Sequence, residues 1–124
     1  MKTAPRVYII DDDESVRKSV SRLLRIAGYQ AEVYSSADEF LETGRMAEHG
    51  CIVLDLRMPG LSGEDFQDRL RTMKEALPVI IISGHGDAEI KASMMEKGAV
   101  AFLAKPFDDQ ELLDAIEAGL ARKP

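Results

Sequence analysis

One pattern limits this chain more than any other. Short apolar runs alternate with amphipathic stretches, five times over, and most of the runs close on a polar or charged residue. The first run, residues 7–10 (VYII), stops at Asp11-Asp12-Asp13, with Glu14 behind. Four apolar residues alone fit either a strand or a piece of buried helix. The following stretch decides between them. Val16, Val20, Leu23, Leu24 and Ala27 recur at helical spacing and Gly28 follows as a stop, so the run before them is a strand.

The same reading continues along the chain. Residues 31–34 form a second strand. Ser36 and Glu39 match a capping box opening a helix near Ala37. CIVL (51–54) is a third strand closed by Asp55. The RMPG turn follows, and Ser62 caps a helix carrying Phe66, Leu70 and Met73. PVIIIS is a fourth strand ending at Ser83. The GHGD loop then leads, through Asp87 as cap, into a helix to Lys97 with Gly98 as its stop. AFLA (101–104) is a fifth strand, closed by Lys105-Pro106. Asp108 and Glu111 form a second capping box ahead of a helix with Leu112, Leu113, Ile116 and Leu120 on its apolar face.

Five strand–helix units predict an α/β fold: a doubly wound, five-stranded parallel sheet with helices on both faces. The first, third and fourth runs are unbrokenly apolar, as strands covered on both faces should be. With right-handed crossovers the expected strand order is 2-1-3-4-5, and its crevice lies at the C-terminal ends of strands 1 and 3. The length of 124 residues suits one domain, and 45% hydrophobic residues can build its core. No run of about 18 apolar residues predicts a membrane span, and MKTAPR has no signal-peptide character. Cys51 is the only cysteine, which fits a reducing cytoplasm and no internal disulfide. A net charge of −6 disfavours direct contact with nucleic acid, so DNA would be reached only through another domain.

In such a sheet the C-terminal strand ends carry the site. Here they bear Asp11 and Asp12, Asp55, Ser83 and Lys105. Three carboxylates sharing one pocket repel, and a hard divalent cation relieves that cost. Magnesium, with manganese as a substitute, takes oxygen ligands and is held by one or two carboxylates plus phosphate oxygens. Lys105 and the Ser83 hydroxyl suit phosphoryl oxygens. One carboxylate is left to react, and Asp55, between the paired acids and the Ser–Lys side, is the expected nucleophile forming an acyl phosphate.

The blocks IIDDDESVR, VLDLRMPGLSG, VIIISGHGD and GAVAFLAKPF, in this order and at these strand ends, resemble the signature of two-component response-regulator receiver domains. The resemblance covers essentially the whole chain, and DLRMPG and SGHGD point to the FixJ-type branch. It implies the flavodoxin- and CheY-like fold and a phosphoryl group passed from a sensor histidine kinase to Asp55. It implies direct magnesium binding by Asp12, binding largely through water by Asp11, a further ligand in the Arg57 backbone carbonyl, and a cis Lys105-Pro106 bond. It makes Phe102 a switch aromatic that follows Ser83, altering the face of helix 4, strand 5 and helix 5 and leading to dimerisation or release of an output domain. Arg57 and His85 would tune phosphoryl lifetime. The resemblance also implies a C-terminal DNA-binding domain outside this chain, although a free-standing receiver fits as well.

Plainer readings exist for several residues. Asp13 and Glu14 suit a helix N-terminus, with an outer-shell metal role as the alternative for Asp13. Ser83 could turn the chain, Phe102 could simply pack, and His85 and His49 could be loop residues. Met46, Met58, Met73, Met94 and Met95 read as packing or surface residues, and Cys51 as a small core residue. Three rival functions use similar features. A haloacid-dehalogenase-type phosphatase needs a second aspartate two residues after the nucleophile, where Arg57 stands. A flavodoxin-like binder of flavin phosphate needs a hydroxyl-rich first loop, which the acids replace. A phosphorylation-independent adaptor on the same fold stays open. The expectation is therefore a switch, with self-phosphorylation and self-dephosphorylation as its only chemistry, rather than an enzyme acting on separate substrates.

Overall fold

The computed structural model describes residues 5–43, 50–56, 63–72, 77–84 and 88–121. Ten elements alternate: β1 (Arg6–Ile10), α1 (Glu14–Ile26), β2 (Gln30–Tyr34), α2 (Ala37–Thr43), β3 (Gly50–Asp55), α3 (Gly63–Thr72), β4 (Val79–Ser83), α4 (Ala88–Glu96), β5 (Ala101–Ala104) and α5 (Asp109–Ala121). The strands form one parallel sheet in the expected order β2-β1-β3-β4-β5. The second strand starts one residue earlier than its apolar run, because Gln30 pairs with Arg6 and its side chain accepts a bond from the Arg6 guanidinium.

Burial follows position in the sheet. Every residue of β3 and β4 is buried, whereas the edge strands β2 and β5 are largely half-exposed. Side chains alternate between two cores. Tyr8, Ile10, Ile52, Leu54, Val79 and Ile81 join Phe40, Phe66 and Met94 on the face of α2, α3 and α4. Val7, Ile9, Cys51, Val53, Ile80 and Ile82 meet Val20, Leu24, Leu112 and Ile116 on the face of α1 and α5. The first core contains a ring cluster in which Phe40 touches Tyr8, Tyr34 and Phe66, with centroids 5.1–5.8 Å apart.

The helix ends use the expected residues. Asp13 caps α1, its carboxylate accepting from the Ser15 and Val16 amides. The chain leaves α1 through Gly28 at φ +97°, a left-handed conformation that favours glycine, and Gly98 does the same after α4. The Ser36 hydroxyl accepts from the Glu39 amide, while the Glu39 carboxylate accepts from the Ser35 hydroxyl. Ahead of α5 the Asp108 amide donates to Glu111. The expected caps Ser62 and Asp87 lie outside the described residues.

Candidate functional site

The alternation that sorts the two cores also sorts the site. Asp11 continues the series Val7, Ile9 beyond β1, and Asp55 ends the series Cys51, Val53 in β3. Lys105 follows Ala101, Leu103 beyond β5. All three series pack on the face of α1 and α5. Ser83 continues Val79, Ile81, and Phe102 packs with that same opposite core. The charged set and the hydroxyl–aromatic pair thus approach one rim from the two sides of the sheet.

The charged set converges. Asp11 is fully buried and Asp55 is 5% exposed, while Asp12 is exposed. These three carboxylates offer oxygens all within 4.8 Å of one another. The Lys105 ammonium reaches across the strand ends to Asp11 Oδ2 at 3.2 Å and to Asp55 Oδ2 at 3.8 Å. The Lys105 amide donates to the Ser83 carbonyl at 2.7 Å, fixing the end of β5 against β4. The following bond, Lys105-Pro106, is cis, as expected. Ser83 is fully buried, and Phe102 is half-buried and in register with Ile81.

Asp11 is held at each polar atom. Its amide donates to the Tyr34 carbonyl at 3.1 Å, and its carbonyl accepts from Arg17 Nη1 at 2.7 Å. Its Oδ1 accepts from the Asp13 amide at 2.9 Å, and its Oδ2 faces Lys105. Asp13 itself acts as a helix cap. The Ser15 hydroxyl, then the Ser15 and Val16 amides, hold its carboxyl below the usual range.

The donor set fits a divalent cation. All three groups are carboxylate oxygens, the ligand type that magnesium prefers. Three carboxylates beside one ammonium leave two negative charges, which a divalent ion balances. Arg57 and His85 lie outside the described residues, as do His49, Met46, Met58 and Met73. Met94 is buried in the core and Met95 is 39% exposed.

The sequence matches a family described as "Response regulator receiver domain" over residues 7–117. This chain belongs to that family. The receiver domain is 44% identical over 118 residues to the response regulator protein TodT of Pseudomonas putida, covering 95% of this chain and 52% of the relative. It is 41% identical over 116 residues to the transcriptional regulatory protein FixJ of Azorhizobium caulinodans, covering 94% and 55%. The receiver domain therefore spans about half the length of these curated relatives. Among solved structures it superposes on FixJ-N with a TM-score of 0.89 at 37% identity, covering 100% of this chain and 98% of the other. It superposes on the response regulator StyR with a TM-score of 0.88 at 47% identity, covering 95% and 60%. The FixJ-type assignment read from DLRMPG and SGHGD agrees with these relatives.

One feature of the receiver domain was not read from the sequence. A groove of about 640 Å³ runs along α1 beside the turn into α5. Val16, Val20, Leu23 and Ile26 line one side, and Pro106 and Phe107 the other, with Lys105 at the end towards the carboxylates. Ile26 is 79% exposed. The helical spacing of Val16, Val20 and Leu23 was legible, Ile26 was not read with them, and the exposure of the stripe depends on which elements pack over it.

Proposed function

We propose that the receiver domain is a magnesium-dependent phospho-acceptor whose nucleophile is Asp55. The observation that carries this reading is the convergence of Asp11, Asp12 and Asp55 within 4.8 Å, with the Lys105 ammonium inserted between the two buried acids. An Asp55 oxygen attacks the phosphorus of a phosphohistidine on a sensor kinase. An O–P bond forms, the N–P bond breaks, and the imidazole leaves with the electron pair. Lys105 turns from its carboxylate partners to a phosphoryl oxygen, and Ser83 donates to another. Asp12, Asp11 and Asp55 would hold the cation, with the Arg57 carbonyl as the further ligand the family resemblance implies, and a divalent ion held there would supply charge neutralisation for the transferring group. In the separate dephosphorylation step water adds to phosphorus, the bond to Asp55 breaks, and inorganic phosphate leaves, with Arg57 and His85 tuning the rate. This is the chemistry of a switch, with no separate substrate turned over.

The response follows from the side of the sheet on which Ser83 and Phe102 lie. Movement of Ser83 towards the phosphoryl group opens space that Phe102 follows, changing the α4–β5–α5 face and promoting a homodimer. The names of relatives such as the transcriptional regulatory protein FixJ support control of transcription, and the output would be a DNA-binding domain. The α1 groove opens beside Lys105, so an apolar helix of the kinase lying in it would bring its phosphohistidine to the rim. The site would work in the cytoplasm, where the kinase's phosphorylating domain meets it; among the described residues no helix is long and apolar enough to cross a membrane.

The test is intact mass after incubation with magnesium and acetyl phosphate. One phosphoryl adduct is expected on the native chain, and none on Asp55→Asn or without magnesium. An adduct that persists in Asp55→Asn would overturn the assignment. The absence of both an adduct and beryllofluoride binding would favour the phosphorylation-independent adaptor.

A further inference from the structure

We propose that Arg17 is a positioning residue for cation binding, acting through the main chain of Asp11 and Asp12. This rests on the metal reading of the acidic cluster and goes beyond it, because Arg17 contributes no ligand atom.

Asp12 is exposed, yet its carboxylate stands within reach of two buried ones. An exposed side chain binds a cation more tightly when its backbone is already held, since otherwise binding must order it. Arg17 supplies that restraint. Its Nη1 donates to the Asp11 carbonyl at 2.7 Å, the shortest polar contact of Asp11 among the described residues. That carbonyl and the Asp12 amide belong to one planar peptide unit. Fixing the oxygen therefore fixes the plane from which Asp12 springs. On its other side Asp12 is flanked by Asp13, whose amide is tied to Asp11 Oδ1 and whose carboxylate caps α1. The exposed acid sits between two anchored neighbours.

Helix stability gives Arg17 only a secondary role: Lys18 does most to lower the pKa of Glu14, and the charge of Arg17 helps. Arg17 lies early in α1, close to the end where the helix dipole disfavours a cation. The pairing across one helical turn is already made by Glu14 and Lys18 at 3.0 Å. What the long, forked side chain adds is its reach back over the turn to a carbonyl.

Two physical effects of Arg17 oppose each other, which makes the sign of the result informative. As a positive charge near an acidic cluster, it weakens cation binding. As a clamp on the Asp11–Asp12 peptide, it strengthens binding. The proposal is that the clamp dominates. The chain has no tryptophan, so binding is best read by Mn²⁺ electron paramagnetic resonance, with thermal unfolding in a chelator as a separate measure of folding. Arg17→Met is expected to raise the Mn²⁺ Kd about tenfold, the low end for residues that orient metal ligands. Its unfolding temperature in chelator should stay close to the native value. Arg17→Lys keeps the opposing charge but loses the fork and the reach, so its Kd should rise at least as much as that of Arg17→Met. An unchanged or tighter Kd in Arg17→Met overturns the proposal, as does a native Kd in Arg17→Lys. If the native chain itself binds no Mn²⁺, the metal reading and this inference fall together. If it binds and both variants match it, this inference alone falls.

Discussion

Cys51 shows how one atom's surroundings reach the stability of the whole domain. Its thiol lies inside β3 with no exposure, and burial pushes its pKa from an ordinary 9.0 up to about 12. The unfolded thiol ionises near its ordinary value. The stabilising difference is therefore intact below about pH 9 and is lost as pH rises towards 12. At about pH 10.5 the loss amounts to about 2 kcal/mol. Urea unfolding at about pH 8 and about pH 10.5 checks this, and Cys51→Ala should lack that part of the decline. Asp13 behaves oppositely. Its lowered pKa gives stability that is present above about pH 4 and lost as pH falls through the folded value, so Asp13→Asn should flatten the acid limb. Gly50 is decided by space. A Cβ there would stand 2.8 Å from the Arg6 carbonyl oxygen, a backbone atom that cannot move aside. Gly50→Ala should cost about 1–3 kcal/mol in urea unfolding.

At the scale of the element, α2 is seven residues long and its largest buried side chain is Phe40, with Ala37 and Leu41 packed into the same core. Phe40 makes ring contacts with β1, β2 and α3 together. Phe40→Ala should therefore cost about 3–5 kcal/mol, measured by denaturant unfolding, despite the shortness of the helix. Helix α1 carries a different prediction. Ile26→Asp should slow phosphotransfer from a histidine-phosphorylated kinase about tenfold or more while leaving labelling by acetyl phosphate unchanged. Rates from the two donors, measured side by side, separate docking from chemistry. Most elements were legible in the sequence because each apolar run is bounded by a stop or a cap: Gly28 and Gly98 end helices, and Asp108 begins one. The convergence of Asp11, Asp55 and Lys105 was legible too, because strand ends in a parallel sheet share one rim. Phe40 was missed because its importance comes from three neighbours remote in sequence. Arg17 was missed because it looks like any helix cation until its guanidinium is seen folded back on Asp11. The start of β2 was one residue late because Gln30 is polar and joins the strand through pairing with Arg6.

At the scale of the molecule, the sheet separates the charged set from the hydroxyl–aromatic pair. The charged set lies with α1 and α5, and Ser83 and Phe102 lie with the other core. Phosphorylation should thus change amide hydrogen exchange most around residues 83–107 and little in the interior strand β1. Unchanged exchange in that segment would count against the switch. Magnesium should also raise the unfolding temperature, by an amount equivalent to about 2.7 kcal/mol at a hundredfold excess over Kd, and Asp12→Asn should abolish most of that rise.

The Lys105–Asp11 pair joins residues 94 positions apart, and so sets when the site can exist at all. During synthesis Asp11, Asp12 and Asp55 leave the ribosome long before Lys105. A nascent chain can therefore collapse around β1 and β3 while its acids remain without their ammonium. Only after β5 has emerged and closed the sheet does the rim acquire its full set of charges. An unfinished domain therefore holds the acids of the site without the ammonium that faces them.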